Sequence, residues 1–138
     1  MSDSVGAIKQ VTFPEGLVGC SDWRHFVLLD ADEAGPVRML QCLDDPEVGF
    51  FVTDPKLLLE DYQLEIPPSA ASAIDLVEQE KAIVLCTLVV KQDPLVVTAN
   101  LLGPLVINRE NGRGVQVVLS GSDYSARHVV VGGPAEMS

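Results

Sequence analysis

Short Val-rich apolar runs punctuated by Gly and Pro recur along the chain, the pattern of an all-β protein. Ile8, Gln10 and Thr12 fall on one side of an extended segment and Lys9, Val11 and Phe13 on the other, which predicts a strand over 8–13. Residues 23–29, 37–43 and 48–53 predict further strands, the second again alternating. Asp45-Pro46 turns the chain between the last two, which marks them as a hairpin. Residues 81–91 hold the longest apolar run, with charge at both ends and no regular alternation, and predict a strand buried on both faces. Segments 96–101, 105–108 and 115–119 follow. The last two are joined by Asn111-Gly112, which tolerates the positive φ of a tight turn.

Two stretches break the strand pattern. Residues 55–62 suit a short helical turn opened by Pro55, and 64–66 a brief strand. Ala70, Ala73, Ile74 and Val77 lie at i, i+3, i+4 and i+7, which predicts one short helix over 69–78 with Ser69 as its cap. The expected architecture is mainly β: one antiparallel, barrel-like domain over residues 1–131, with a loose tail at 132–138. Closure removes the exposed edges that a chain with twenty valines would otherwise present.

Composition narrows the function. The 138 residues suffice for one core without a disulfide or metal staple. Cys20, Cys42 and Cys86 are odd in number and widely spaced. With His25 and His128 they form no metal-ligand spacing, so they read as reduced thiols and no cofactor is expected. No signal peptide and no membrane-length apolar run is visible, which suggests the cytoplasm. A net charge of −11 opposes nucleic-acid and anionic-membrane binding. That charge is uneven: residues 1–80 carry −12 and residues 81–138 carry +1. The acids cluster as Asp30-Ala31-Asp32-Glu33, Asp44-Asp45-Pro46-Glu47 and Glu60-Asp61. Such clusters are either solvated turns or a face that selects a basic partner.

Catalytic chemistry is thin. Ser122, Asp123 and His128 invite a triad reading, but they are close in sequence and no strained nucleophile turn accompanies them. The residues read as a non-enzymatic acidic β domain built to be bound.

Several motifs in a fixed order carry a resemblance. Asn100-Leu101-Leu102-Gly103-Pro104 leads to Asn108, and Gly114-Val115-Gln116-Val117-Val118-Leu119 and Tyr124-Ser125-Ala126-Arg127-His128 follow. Upstream stand Gly16-Leu17-Val18-Gly19, Phe26-Val27-Leu28-Leu29, Leu40-Gln41, Phe50-Phe51-Val52, Asp54-Pro55 and Asp61-Tyr62. Over residues 8–129 the chain resembles the FliW family of flagellar assembly factors. Cys20 and Gly103 depart from it mildly, where an aromatic and a slightly larger small residue are usual. The resemblance implies a cytoplasmic, non-enzymatic monomer that binds newly made flagellin and also the translational repressor CsrA. Flagellin and CsrA would compete for it, coupling flagellin synthesis to assembly. The alternative is an acidic β-barrel module with some other protein or peptide partner.

Candidate contact residues follow from both readings. Asn100 and Asn108 flank Pro104 and either offer amides to a partner or cap turns. Tyr124, Arg127 and His128 form a possible polar–aromatic patch. Phe50 and Phe51 alternate, so one points outward, and Phe51 is the candidate anchor. Asp44, Asp45 and Glu47 are the candidate acids for a basic partner.

Overall fold

The computed structural model describes residues 9–30 and 37–131. Most of the Asp30-Ala31-Asp32-Glu33 cluster and the whole 132–138 tail lie outside the described residues. Nine strands run in chain order: β1 (Lys9–Thr12), β2 (His25–Asp30), β3 (Arg38–Cys42), β4 (Gly49–Thr53), β5 (Ala82–Lys91), β6 (Val96–Ala99), β7 (Leu105–Asn108), β8 (Gly114–Gln116) and β9 (His128–Val131). They form one antiparallel sheet ordered β9-β6-β5-β4-β3-β2-β1, and β7 branches from β5 to pair with β8.

β5 causes the branching. Its residues 82–85 pair with β7, while 86–88 pair with β4 and 88–91 with β6. The sheet curls at this change of partner, and the described ladder stays open. One parallel bridge, Thr12 to Arg113, joins β1 to the β7–β8 hairpin, with the Thr12 N–H donating to the Gly112 carbonyl at 2.9 Å. The fold is therefore barrel-like and held at a seam by that bridge.

The alternation read from the sequence fills the interior. Val11, Phe26, Leu28, Leu40, Cys42, Val52, Leu85 and Ile107 form the main core, capped by Phe13 edge-on to Phe26 at 5.5 Å. A second cluster on the other side of the sheet gathers Tyr62, Cys86, Ala99 and Leu101. A third sets Ala70 and Ile74 against Val106 and Val117. The expectation of a doubly buried β5 holds at Leu85 and Cys86 only. Its last three residues, beyond the last β4–β5 pair and joined to β6 alone, are exposed.

The helix is shorter than its apolar stripe. α1 spans Pro68–Ala73, with Pro67 rather than Ser69 at its N-cap. Ala70 and Ile74 are buried as expected, but Val77 is 94% exposed. The β7–β8 hairpin intercepts the helix end. Asn108 and Asn111 donate to the Ile74 carbonyl at 2.9 and 3.0 Å, and Asp75 takes a left-handed φ of 55° that ends the turn. Arg113 then pairs with the Asp75 carboxylate at 3.1 Å.

The short turn at Pro55–Leu57 forms as read, with Asp54 accepting from the Lys56 N–H at 2.9 Å. Residues 64–66 join no ladder, so the brief strand expected there does not form among the described residues. β9 was hidden in the sequence. It is a short β-branched run beside a tail read as loose, and it pairs with β6.

Candidate functional site

The acidic turn between β3 and β4 is built around Asp44. Its carboxylate accepts the backbone N–H groups of His25 and Arg24, both at 2.8 Å, and contacts His25 Nδ1 at 3.1 Å. These backbone bonds, that of His25 first, and then the imidazole hold the carboxyl down to about 2. Asp45 Oδ1 accepts from the Glu47 N–H at 3.1 Å and closes the turn. Glu47 is exposed, and among the described residues its carboxylate has no ion pair. Asp44 thus has a structural duty, while Glu47 faces outward.

The depressed Asp44 value has a pH consequence. The folded chain holds this proton less tightly than the unfolded chain, so its contribution is fully present above about pH 4. It is lost as pH falls from about 4 through about 2. We expect Asp44→Asn to be less stable than the parent in urea at pH 7, with most of that difference gone at pH 2. A difference that persists unchanged at pH 2 would refute this role.

The residues of the C-terminal motifs divide into buried and exposed. Asn100 Oδ1 accepts from the N–H groups of Leu102 and Gly103 at 3.1 and 2.8 Å, so it caps the 100–103 turn. Pro104 is buried, and its carbonyl accepts from the Val117 N–H. Asn108 is 3% exposed. Its Nδ2 donates to the Ile74 and Asp75 carbonyls, and its Oδ1 accepts from the Glu110 N–H. All three serve the fold. Arg127 is exposed; its N–H donates to Ser125 Oγ at 2.9 Å, and its guanidinium makes no ion pair among the described residues.

Tyr124 lies between the two groups. It stacks on Tyr62, with centroids 4.5 Å apart, and its hydroxyl accepts from the Gln63 N–H at 2.8 Å. Tyr62 is 2% exposed and donates to the Leu101 carbonyl at 2.8 Å. Burial pushes the Tyr62 phenol upward, so it stays a neutral donor at every ordinary pH.

Phe50 turns inward against Trp23 and Phe26, and Phe51 is 41% exposed on the outer face. The register sets Phe51 opposite Leu88, Leu88 opposite Ala99, and Ala99 opposite His128. Phe51 and His128, distant in sequence, therefore lie in one row across four strands, about 14 Å apart at the usual strand spacing. Between them Leu88 is partly buried and Ala99 fully buried, so the two stand at the ends of one row and form no contiguous exposed patch. Among the described residues, no hydrogen bond or ring contact links them to the acidic turn.

Ser122 Oγ donates to the Leu119 carbonyl at 2.7 Å and accepts from the Tyr124 N–H at 3.3 Å. Among the described residues, no hydrogen bond connects Ser122, Asp123 and His128. The thiols of Cys20, Cys42 and Cys86 are free. Burial, and secondarily the Asp54 charge, pushes the Cys86 thiol up to about 11. No helix among the described residues is long and apolar enough to cross a membrane.

Comparison with known proteins places these motifs in a wider set. The family model described as FliW protein matches residues 4–130. The flagellar assembly factor FliW of Natranaerobius thermophilus is 40% identical over 121 residues, which is 87% of this chain and 80% of that protein. The flagellar assembly factor FliW of Treponema pallidum is 33% identical over 135 residues, covering 98% and 89%. A crystal structure of the flagellar assembly factor FliW superposes with a TM-score of 0.80 at 26% identity, covering 96% of this chain and 91% of that one.

Proposed function

The chain belongs to the FliW family of flagellar assembly factors, and on that premise we propose that it is a non-enzymatic cytoplasmic protein that binds flagellin as a chaperone and binds and antagonises the repressor CsrA. The observation that carries this reading is the match to the family over nearly the whole chain, loops included. A part-time chaperone of this kind works by mass action: the more concentrated or tighter partner determines what it holds. Rising flagellin removes it from CsrA, and the released CsrA then represses flagellin synthesis.

Exposure sorts the candidate contacts. Phe51, Arg127 and the partly exposed Tyr124 and His128 are offered as partner contacts. Phe51 is the anchor for an apolar helix of flagellin. Asn100, Pro104 and Asn108 serve the fold instead, in the 100–104 turn and at the helix end. Glu47 and Asp45 form an acidic rim for CsrA. An RNA-binding protein carries basic surface, and a face rich in carboxylates accelerates its encounter.

The test is a competition experiment with the full chain. A complex with CsrA should form and should be dissolved by titrated flagellin. Raising salt from ~50 to ~300 mM shortens the Debye length from about 14 to about 6 Å and should slow association with CsrA by roughly tenfold. An on-rate flat across that range overturns the steering role. Failure of either partner to bind overturns the assignment itself.

A further inference from the structure

Residues 63–66 alternate in exposure like a strand but belong to no ladder. Gln63 and Glu65 are exposed while Leu64 and Ile66 turn inward, the alternation of a half-buried strand. Leu64 packs against the Tyr62 cluster and, with Ile66, against the Ala70–Ile74 cluster. The segment is thus fixed by its side chains. Among the described residues, the backbone groups of Leu64, Glu65 and Ile66 make no hydrogen bond, although such groups rarely go unpaired in a folded domain.

The direction of the free groups follows from one bond. The Gln63 N–H points at the Tyr124 hydroxyl, 2.8 Å away. In an extended chain the N–H and C=O of one residue share a side, and successive residues alternate sides. Leu64 and Ile66 therefore direct their N–H and C=O groups away from Tyr124. A groove of about 310 Å³ adjoins this segment, lined by Leu64 and Ile66 themselves, by Ala82 and Val84 of β5, and by Pro55 and Lys56. Two residues spaced i and i+2 with both backbone groups free beside a groove form the template for strand addition. Pro67 and Pro68 follow and limit the template to this length.

The surroundings state what the added strand would be. Apolar Pro55, Ala82 and Val84 suit aliphatic side chains pointing into the groove. Residues 54–66 and 78–81, which bracket it, carry six acids against Lys56 and Lys81. Lys81 is itself 3.8 Å from Glu110. Glu65, on the template, faces solvent.

We propose that the free edge of residues 63–66 receives an extended segment of a partner protein by strand addition, and that this segment is basic with aliphatic residues at alternate positions. The backbone bonds supply the pairing, the groove takes the aliphatic residues, and the acidic margin selects the charge. The assignment goes beyond the function proposed above and does not depend on the identity of flagellin or CsrA as partners.

The test uses the whole isotope-labelled protein and a blocked heptapeptide of alternating lysine and valine. At saturation, amide exchange at Leu64 and Ile66 should slow by about tenfold or more, while that at Gln63, already bonded to Tyr124, should change little. The same peptide N-methylated on every valine retains the charge and loses the pairing edge, so it should fail to protect either amide. Glu65→Lys, at an exposed position, should weaken the parent peptide at least fivefold. Binding that leaves Leu64 and Ile66 unprotected, equal binding of the N-methylated peptide, or no binding at millimolar concentration would each overturn strand addition. Unchanged affinity in Glu65→Lys would overturn the basic preference. Because the probe is synthetic, a failed flagellin or CsrA competition leaves this result standing, and the reverse is also true.

Discussion

Asn108→Ala is expected to lower stability by about 3 kcal/mol, with a fall in melting temperature of roughly 10 °C. The residue is buried and its side chain satisfies three backbone groups from two parts of the chain. Truncation leaves the Asp75 carbonyl and the Glu110 N–H without their partners. The Ile74 carbonyl retains Asn111 at 3.0 Å. Unmet buried groups cost about 1–3 kcal/mol each, the lower values applying near solvent, so two of them and a small void reach the stated figure. Asn111→Ala removes a bond that Asn108 duplicates at Ile74 and an exposed one from the Arg113 N–H, and should cost about 1 kcal/mol. Asn108→Asp is the sharper variant. It keeps the acceptor for Glu110 but sets a carboxylate against two carbonyls. It should be worse than alanine at pH 7 and should recover as acid protonates it. Urea denaturation of the three variants decides the matter. A loss below 1 kcal/mol for Asn108→Ala would show that the helix end does not depend on the hairpin.

The same residue shows why part of the fold was legible and part was not. Strand positions were readable because a side chain's face depends only on its parity along the chain: Leu40 and Cys42 point in, and Phe51 points out. The β7–β8 hairpin was readable because Asn111-Gly112 is a local signal. The length of α1 was not. Its apolar stripe continues to Val77, and the helix stops at Ala73 because carboxamides more than thirty residues away take the last carbonyls. Neither gave a sign of that in the sequence, where Asn108 read as a turn cap or a contact and Asn111 only as part of the Asn-Gly turn. Register was equally hidden. Nothing local reveals that Phe51 and His128 share a row, since this depends on β5 changing partners midway. The 63–66 alternation was visible, but its lack of a strand partner was not, because pairing is a property of the neighbours.

Gly112→Ala is expected to cost about 3 kcal/mol and to open the seam between β1 and the hairpin. Two terms add. Gly112 sits at φ +74°, where a β-carbon costs roughly 1–2 kcal/mol. That β-carbon would also lie 2.6 Å from the Gln10 carbonyl oxygen, a backbone atom of β1 that can move only with its strand. Moving it breaks the Thr12 N–H bond to the Gly112 carbonyl, the described hydrogen bond across the seam, at about 1 kcal/mol. Two other glycines separate the terms. Gly19 has φ +82° with nothing within 4 Å of a built β-carbon, so Gly19→Ala should show the conformational cost alone, about 1 kcal/mol. Gly121 has open space and no positive φ, and Gly121→Ala should be neutral within about 0.5 kcal/mol. Amide exchange adds a local readout: Thr12 should lose protection in Gly112→Ala and keep it in Gly19→Ala. If Gly112→Ala cost no more than Gly19→Ala and Thr12 stayed protected, the seam would not be what holds β1 to the hairpin. The expected order instead makes one bridge and one glycine the device by which an open ladder behaves as a barrel.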